Sequence, residues 1–270
     1  MTLRFVSVCT VAWLLLTWSK LHAQIPFAHA HNDYEHTRPL LDALEWEFTS
    51  VEADIHLIDG ELYVYHDRPG RPDPQRTLEK LYLDPLMERF RQNSGSVYPD
   101  YEESFLLLVD IKTEAEATYA VLLQKLAPYA AMLRQTSGDE IIQSGAVMVV
   151  LSGNRPMATV ARETTRLVSI DGRPTDLGKG YSTAYMPLVS DHYRNQLQWN
   201  GKGVLPGKQA QQLARLAARI HAEGKKLRLW ASPENARIWD FLLDGGADYL
   251  NTDLLEDLHQ FAKKQSKYGK

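Results

Sequence analysis

The chain has 270 residues and a formal net charge of −4, from 30 basic and 34 acidic side chains. This balance, without a stripe of basic residues, argues against a nucleic-acid partner. The single cysteine, Cys9, excludes an internal disulfide framework, so the fold depends on its hydrophobic core. One α/β barrel has about 250 residues, and a single domain is therefore predicted.

Residues 1–23 have the pattern of a secretory signal peptide. Arg4 precedes an apolar run from Phe5 to Trp18, and the small residue Ala23 suits cleavage before Gln24. The run of about 14 residues is shorter than a typical transmembrane helix; a retained N-terminal anchor is the alternative. We therefore predict a signal peptide over 1–23, a barrel domain over 24–270, a secreted or periplasmic location and no stable membrane insertion.

Short apolar runs alternate with longer helical patterns along the rest of the chain. Strands are predicted at residues 25–30, 50–56, 62–66, 105–111, 146–152, 167–171, 184–189, 226–231 and 248–251. Helices are predicted at residues 38–48, 77–92, 114–134, 155–165, 206–223, 234–244 and 253–265. This alternation indicates a parallel sheet with helical crossovers. Eight or nine such units predict a (β/α)₈ TIM-type barrel. An open doubly wound sheet is the alternative, although no G-x-G-x-x-G follows the first strand.

The predicted strand at 50–56 is apolar except for Glu52, Asp54 and His56. A spacing of two places these side chains on one face of the strand. Active sites of such barrels lie at the carboxyl ends of the strands, where two carboxylates repel unless a cation lies between them. Hard oxygen ligands suit Mg²⁺ or Ca²⁺. A single divalent cation is therefore predicted here; a structural ion-pair network is the alternative.

A second strand shows the same break in its apolar pattern. FLLLVDIK is apolar for five residues and then places Asp110 and Lys112 on one face. Asp110 is predicted as a third carboxylate ligand and Lys112 as a cation that faces a phosphate oxygen. A plain Asp–Lys pair is the alternative, but a buried strand end is a costly place for one.

Five of the nine histidines lie within residues 29–66. His31 follows the first strand in HAHNDY, and His66 ends LYVYHD. A neutral histidine can take a proton from a nucleophile, and a protonated one can give it to a leaving alkoxide. His31 and His66 are therefore candidates for the acid and base of phosphodiester cleavage. His36 is interpreted as a satisfied core or surface residue, while the roles of His29 and His56 stay open.

The motifs HNDY, VEADIHLIDGELYVYHD and LLLVDIK, in this order, resemble the superfamily of glycerophosphodiester phosphodiesterases and phosphatidylinositol-specific phospholipase C. HNDY is similar to a secreted subgroup of it. Near the end of the chain, LRLWASPEN and GGADYLNTD, the latter with Asp253, are similar to the superfamily's tryptophan strand and closing motif. The resemblance spans most of the chain, although the middle matches only in the rhythm of its elements.

The resemblance implies a role for each singled-out residue. In the superfamily two histidines act as acid and base, three carboxylates hold a divalent cation, and further residues contact the substrate. The nucleophile there is often the substrate's own neighbouring hydroxyl, which gives a cyclic phosphate. Carried over to this chain, the roles are catalytic for His31 and His66, cation-binding for Glu52, Asp54 and Asp110, and substrate-binding for Asn32, Lys112 and Trp230.

Two departures leave the substrate open. Members usually have Arg-Gly after the first histidine, where this chain has Asn32 and Asp33, and they usually have Glu in place of Asp110. The Asp form with a following Lys is more similar to the sphingomyelinase D-type branch. Lys112, Arg155 and Arg173 are candidates for the missing phosphate contact. The predicted function is a metal-dependent phosphoric diester hydrolase acting on glycerophosphodiesters or phospholipid-type head groups.

Two other functions remain as alternatives. An amidohydrolase-like metallohydrolase would bind its metal through His29 and His31, but it needs further histidines after later strands and gives Glu52, Asp54 and Lys112 no role. A non-catalytic exported binding protein on the same barrel is the second alternative, because a barrel does not by itself imply activity.

Overall fold

The computed structural model describes residues 24–265. The predicted signal peptide, residues 1–23, and the last five residues lie outside this range. Within it the strands are β1 (Ile25–Ala30), β2 (Phe48–Ile58), β3 (Glu61–Val64), β4 (Phe105–Ile111), β5 (Gln135–Ser137), β6 (Glu140–Gln143), β7 (Val147–Gly153), β8 (Thr165–Arg166), β9 (Val168–Gly172), β10 (Leu188–His192), β11 (Lys226–Trp230) and β12 (Tyr249–Thr252). The α-helices are α1 (Leu41–Glu45), α2 (Asp84–Gln92), α3 (Ala115–Leu126), α4 (Met157–Arg162), α5 (Tyr193–Gln196), α6 (Gly207–His221), α7 (Ala236–Asp244) and α8 (Leu255–Lys264).

Eight parallel strands close into a barrel in the order β1, β2, β4, β7, β9, β10, β11 and β12. Closure comes from β1, which pairs in parallel with both β2 and β12. Helices lie between the strands, so the chain forms the TIM-type barrel that the alternation of strands and helices predicts. None of the helices described in residues 24–265 is long and apolar enough to cross a membrane.

Several predicted elements differ from the structure. The predicted strand at 62–66 is β3, an antiparallel partner of β2 across the turn at Asp59 and Gly60, and not a barrel strand. The strand predicted at 184–189 begins only at Leu188, because Pro187 has no N–H to donate. The helix predicted at 114–134 ends at Leu126. A small sheet of β5, β6 and β8 has no counterpart among the predictions, since its strands are only two to four residues long.

The alternation of side chains along each strand divides the buried residues into two sets. Outward residues pack against the helices in one large apolar cluster. A separate inward cluster contains Leu106, Leu108, Met148, Val150, Leu188 and Tyr249. Continuing these inward positions toward the carboxyl ends of β4 and β7 leads to Asp110 and Ser152, which face each other in the register. The inward faces therefore direct polar side chains to the barrel mouth.

Candidate active site

Three carboxylates meet at the carboxyl ends of β2 and β4. The register places Asp54 beside Asp110, with Glu52 one inward position below Asp54. Ligand oxygens of all three residues lie within 4.8 Å of one another, and Glu52 and Asp54 are buried. The period-two pattern thus brings the three predicted cation ligands together.

Lys112 neutralises part of this cluster. Its Nζ lies 2.8 Å from Asp54 Oδ2 and 3.2 Å from Asp110 Oδ1. Burial and the charge of Glu52 nevertheless outweigh Lys112 and raise the pKa of Asp54 to about 6. Burial raises the pKa of Asp110 as well. Lys112 lowers this pKa and Glu52 raises it, and the net shift is upward. One lysine is therefore not enough to relieve the repulsion between these carboxylates.

A buried arginine partners the third carboxylate from below. Arg228 Nη1 lies 3.2 Å from Glu52 Oε2 and 2.9 Å from His29 Nε2. Because arginine only donates, His29 accepts at Nε2 and donates from Nδ1 to Ser50 Oγ at 2.6 Å. Burial and then Arg228 lower the pKa of His29 to about 4, so its 3.3 Å contact with Glu52 is not an ion pair. Burial disfavours the Glu52 charge, but Arg228 and the nearby charge of His31 outweigh it and lower the pKa of Glu52.

The donor set fits a divalent cation. Three carboxylates and two cationic side chains, Lys112 and Arg228, leave a formal charge of −1. Asp54 Oδ1 is buried without a hydrogen-bond partner among the described residues, so this hard oxygen is available to a cation. Within residues 24–265, Glu52, Asp54 and Asp110 are the one group of three or more His, Cys, Asp or Glu residues close enough to hold a metal ion.

The position of the Asp110 carboxylate depends on Gly153. Gly153 ends β7 with φ at +64°, in the left-handed region that favours glycine. A Cβ at this position would lie 2.2 Å from Asp110 Oδ1 and 2.6 Å from the carbonyl oxygen of Ile111. Only glycine therefore leaves room for the Asp110 carboxylate in its present position.

Asp253, which follows the last barrel strand β12, holds His31 at the mouth. His31 Nδ1 lies 2.9 Å from Asp253 Oδ1. Burial would lower the pKa of His31, but the hydrogen bond to Asp253 and the charges of Glu52 and Asp253 outweigh it and raise that pKa. Nε2 has no hydrogen bond within the described part of the chain, so this nitrogen can accept or donate a proton.

Asn32 and Tyr34 connect His31 with the carboxylates. Asn32 has φ at +46°, which asparagine tolerates better than most residues. Its amide lies 3.5 Å from Asp253 Oδ1, while its Oδ1 lies 2.8 Å from the buried Tyr34 hydroxyl. That hydroxyl is also 2.8 Å from Asp54 Oδ2, and it donates to one of the two acceptors at a time. Asn32 therefore fixes the rim between His31 and the cluster.

Asp33, which with Asn32 replaces the superfamily's Arg-Gly, is buried away from the carboxylate cluster. Its fully buried Oδ2 accepts the backbone N–H of Leu40 at 2.5 Å and the Tyr82 hydroxyl at 2.9 Å. It thereby ties the loop after β1 to the segment before α2. This role is structural.

His66 makes no hydrogen bond or ion pair with the three carboxylates among the described residues. Its side chain is 62% exposed, and its one ion-pair contact among the described residues is with Asp67 at 3.4 Å. His56 Nε2 instead contacts the backbone oxygens of Tyr65 and His66, at 3.1 and 3.3 Å. His56 is thus a structural residue of the hairpin that carries His66.

The other side of the mouth carries aromatic and cationic side chains. Trp230 ends β11 and lies edge-on to His192, with ring centroids 4.5 Å apart. Arg155 and Arg173 follow β7 and β9 and both contact Asp171. They are therefore grouped around another carboxylate, next to Ser152 and not on the three-carboxylate cluster.

Sequence reasoning did not identify Arg228 or Gly153, and it gave Asp253 no role at the site. Arg228 interrupts the apolar strand KLRLW two residues before Trp230, a signal comparable to Glu52 in its own strand. Asp253 lies in the closing motif but contacts a residue 222 positions away. The role of Gly153 follows only from how closely β4 and β7 pack.

The arrangement of His29 bears on the amidohydrolase alternative. That function needs His29 and His31 as metal ligands, yet His29 Nε2 already accepts from the guanidinium of Arg228. A cation at this nitrogen would lie against another positive charge. The geometry therefore gives this alternative no support.

A closed parallel barrel with three carboxylates and a histidine at its mouth is the arrangement that the resemblance to phosphodiesterases implies. A model of the AIM6-like phosphodiesterase domain matches residues 21–171, more than half of the chain, and the chain therefore belongs to this family. The predicted membership of a phosphodiesterase superfamily is thereby confirmed, while the assignment to its secreted subgroup stays a prediction.

Relatives extend the match over most of the chain. "Altered inheritance of mitochondria protein 6" of Eremothecium gossypii is 29% identical over 90% of this chain and 72% of its own length. A homolog of that protein from Arthroderma benhamiae is 24% identical over 83% of this chain and 80% of its own length. Among solved structures, the glycerophosphodiester phosphodiesterase of Thermotoga maritima aligns with a TM-score of 0.47 and 13% identity, covering 90% of this chain and 99% of that one.

Proposed function

We propose that this protein is a metal-dependent phosphoric diester hydrolase that acts on glycerophosphodiesters or phospholipid-type head groups. One observation carries the proposal: Glu52, Asp54 and Asp110 converge within 4.8 Å at the barrel mouth. A cluster with a formal charge of −1 after its own lysine and arginine are counted is suited to a divalent cation, Mg²⁺ or Ca²⁺. When bound, the cation supplies Lewis-acid stabilisation of charge on the diester oxygens.

His31 is proposed as the first member of the acid–base pair. Asp253 accepts from Nδ1 and so fixes the ring with Nε2 as the reactive nitrogen. In the neutral ring Nε2 takes a proton from the attacking hydroxyl, and in the protonated ring it gives one to the leaving alkoxide. The raised pKa of His31 favours the protonated form, which suits the role of acid.

His66 is proposed as the second member of the pair. Its exposure on the hairpin of β2 and β3 leaves it free to meet a substrate that covers the mouth. Lys112 is proposed to contact a diester oxygen, Asn32 to hold the rim that the substrate approaches, and Trp230 to contact the alcohol portion.

The proposal is tested by assaying the purified, chelator-treated protein on a panel of phosphodiesters, with Mg²⁺, Ca²⁺ or Zn²⁺ added back. Hydrolysis restored by Mg²⁺ or Ca²⁺ is expected, with losses of at least about 100-fold in His31→Ala, the usual range for an acid–base residue. Glu52→Gln is expected to lose the response to cations. Phosphorus NMR of the product separates a cyclic phosphate from a hydrolysed monoester.

Two variants serve as matched controls. His221 and Asp248 form a histidine–aspartate pair of 2.8 Å at the amino-terminal end of β12, the opposite end of the barrel from His31 and Asp253. Glu47, just before β2, is buried and paired with Lys263. His221→Ala and Glu47→Gln are expected to keep the wild-type rate per folded molecule. Hydrolysis of amides or lactones with zinc would contradict the proposal, and an inert wild-type protein would favour a binding function.

Export is a separate part of the proposal and rests on the sequence of residues 1–23 alone. Amino-terminal sequencing of the protein recovered from a secreting host is expected to begin at Gln24. Recovery of the uncleaved chain in the membrane fraction would contradict it.

A further inference from the structure

Two arginines converge beside the candidate active site. Arg155 follows β7 and Arg173 follows β9, so both lie at the carboxyl-end mouth. Nη1 of each donates to the same backbone oxygen, that of Asp171, at 3.3 Å for Arg173. Arg173 Nη1 also lies 2.8 Å from Asp171 Oδ2. Both side chains are half-buried and so remain open to the mouth.

This arginine pair carries more positive charge than its surroundings neutralise. Asp171 is the one carboxylate in ion-pair contact with a guanidinium of the pair among the described residues. The neighbouring Asp176 is paired with Lys179 at 2.8 Å. Two guanidinium groups and one carboxylate leave a formal charge of +1, and two like charges held at one acceptor repel each other.

Arg155 follows β7, one strand away from β4 and Asp110, and Arg173 follows β9, the next strand of the barrel. Ser152 faces Asp110 in the register of β4 and β7. Ser152 Oγ is 3.0 Å from Asp171 Oδ2 and 3.3 Å from Arg173 Nη2. Because neighbouring strands are about 4.8 Å apart, a group attached to a diester at Asp110 reaches these guanidiniums without leaving the mouth.

We propose that Arg155 and Arg173 bind a second anionic group of the substrate, so that the preferred diester has an alcohol that carries a carboxylate or phosphate. This inference rests on the proposed function. The diester's own charge is balanced at the carboxylate cluster, where −1 from the side chains, +2 from the cation and −1 from the diester sum to zero. A further anion would balance the excess of +1 at the arginine pair.

The test compares two diesters that differ in one charged group. These are the p-nitrophenyl phosphodiesters of glyceric acid, joined at its 3-hydroxyl, and of propane-1,2-diol, joined at its 1-hydroxyl. Both keep the neighbouring 2-hydroxyl, and they differ only in a carboxylate that replaces a neutral methyl group. The wild-type protein is expected to favour the anionic diester by about tenfold or more in kcat/KM, as a hydrogen-bonded charge pair implies. Arg155→Met is expected to lose this preference while the neutral diester is hydrolysed within about twofold of the wild-type rate.

Two variants complete the series. Arg155→Lys keeps the charge and is expected to retain part of the preference. Arg194→Met is the control: this arginine lies on the same rim, in α5, but is exposed and donates to the backbone of Gln198. A wild-type protein without the preference overturns the inference and leaves the proposed function standing. Equal loss of both diesters in Arg155→Met also overturns it, since the arginine would then act on the scissile phosphate.

A binding measurement decides the inference if neither diester is hydrolysed. Calorimetric titration of inorganic phosphate into the chelator-treated protein measures the arginine pair without the cation. Binding that weakens by about tenfold or more in Arg155→Met but not in Arg194→Met supports the anion site. Equal binding by all three proteins overturns it.

Discussion

Arg228 shows how one residue changes the physics of the barrel interior. Barrel interiors are usually filled with branched apolar side chains, but here Arg228 is almost fully buried and holds Glu52 ionised from below. The same guanidinium fixes His29 as a neutral acceptor. The middle of the barrel is therefore a polar layer that supports the mouth.

Arg228→Met is expected to destabilise the protein by about 3–5 kcal/mol, because it leaves Glu52 as a buried charge without the guanidinium that pairs with it. Combining it with Glu52→Gln is expected to recover more than half of that loss. Urea unfolding in the presence of a chelator measures both. Arg194→Met, an exposed change, should stay within about 0.5 kcal/mol of wild type. If Arg228→Met and the double variant with Glu52→Gln were equally stable, the loss in Arg228→Met would not come from the unpaired charge of Glu52.

The buried carboxyl of Asp33 is expected to make the free energy of unfolding depend on pH. Burial, against hydrogen bonds from Leu40 and Tyr82, raises its pKa to about 7. A carboxyl with a raised pKa in the folded state contributes stability that is fully present below its unfolded pKa of about 4 and is lost as the pH rises through 7.

Asp33→Asn removes this titration. The variant is therefore expected to gain stability relative to wild type as the pH rises from 4 to 7, by a few kcal/mol at most. Denaturant unfolding at several pH values measures the change. Asp176→Asn is the matched control. Burial would raise the pKa of Asp176, but Lys179 outweighs it and that pKa is lowered. Asp176→Asn is therefore expected to lose stability relative to wild type as the pH rises, the opposite of Asp33→Asn. A constant difference between Asp33→Asn and wild type over this range would be the contrary result.

At the scale of elements, the position of each site residue depends on the register of parallel strands. β2, β4 and β7 place Asp54, Asp110 and Ser152 side by side at one level. The close packing of β4 on β7 requires a residue without Cβ where the Asp110 carboxylate lies, and Gly153 meets that requirement.

Gly153→Ala is expected to weaken Mg²⁺ binding by about tenfold or more, because a Cβ 2.2 Å from Asp110 Oδ1 displaces the carboxylate. Titration calorimetry measures the affinity. Gly178→Ala separates this clash from backbone strain: Gly178 also has a positive φ, +81°, but a Cβ added there would meet no atom within 4 Å. Unchanged Mg²⁺ affinity in Gly153→Ala would mean that Asp110 does not bind the cation.

The hairpin of β2 and β3 determines where His66 lies. The turn at Asp59 and Gly60 sends β3 antiparallel to β2 and outside the ring of parallel strands. His66 follows this hairpin and not a barrel strand, so it lies exposed beside the mouth.

At the scale of the whole molecule, an ion bound by Glu52, Asp54 and Asp110 links two neighbouring strands of the closed barrel. A ligand that binds only the folded state at 100 times its Kd adds about 2.7 kcal/mol of stability. For a domain of this size the expected rise in Tm is about 5–10 °C. Thermal unfolding with Mg²⁺ and with chelator measures it, and Asp110→Asn should show little or no rise. A wild-type Tm that ignores the cation would contradict the proposed site.

Local patterns in the sequence determined much of this protein. The predicted strands 25–30 and 105–111 coincide with β1 and β4, because a strand buried on both faces appears as a continuous apolar run. The alternation of side chains with a period of two placed Glu52 and Asp54 on one inward face, and the order of strands and helices predicted the barrel.

Tertiary structure decided what depends on contacts between distant parts of the chain. Arg228 meets His29 across 199 positions and Asp253 meets His31 across 222, because β12 pairs with β1 and closes the barrel. Sequence periodicity describes which face a side chain occupies, but not which strand lies opposite. Closure therefore determined the position of Arg228 beneath Glu52 and the partner of His31, and the pairing of β7 with β9 determined the grouping of Arg155 with Arg173.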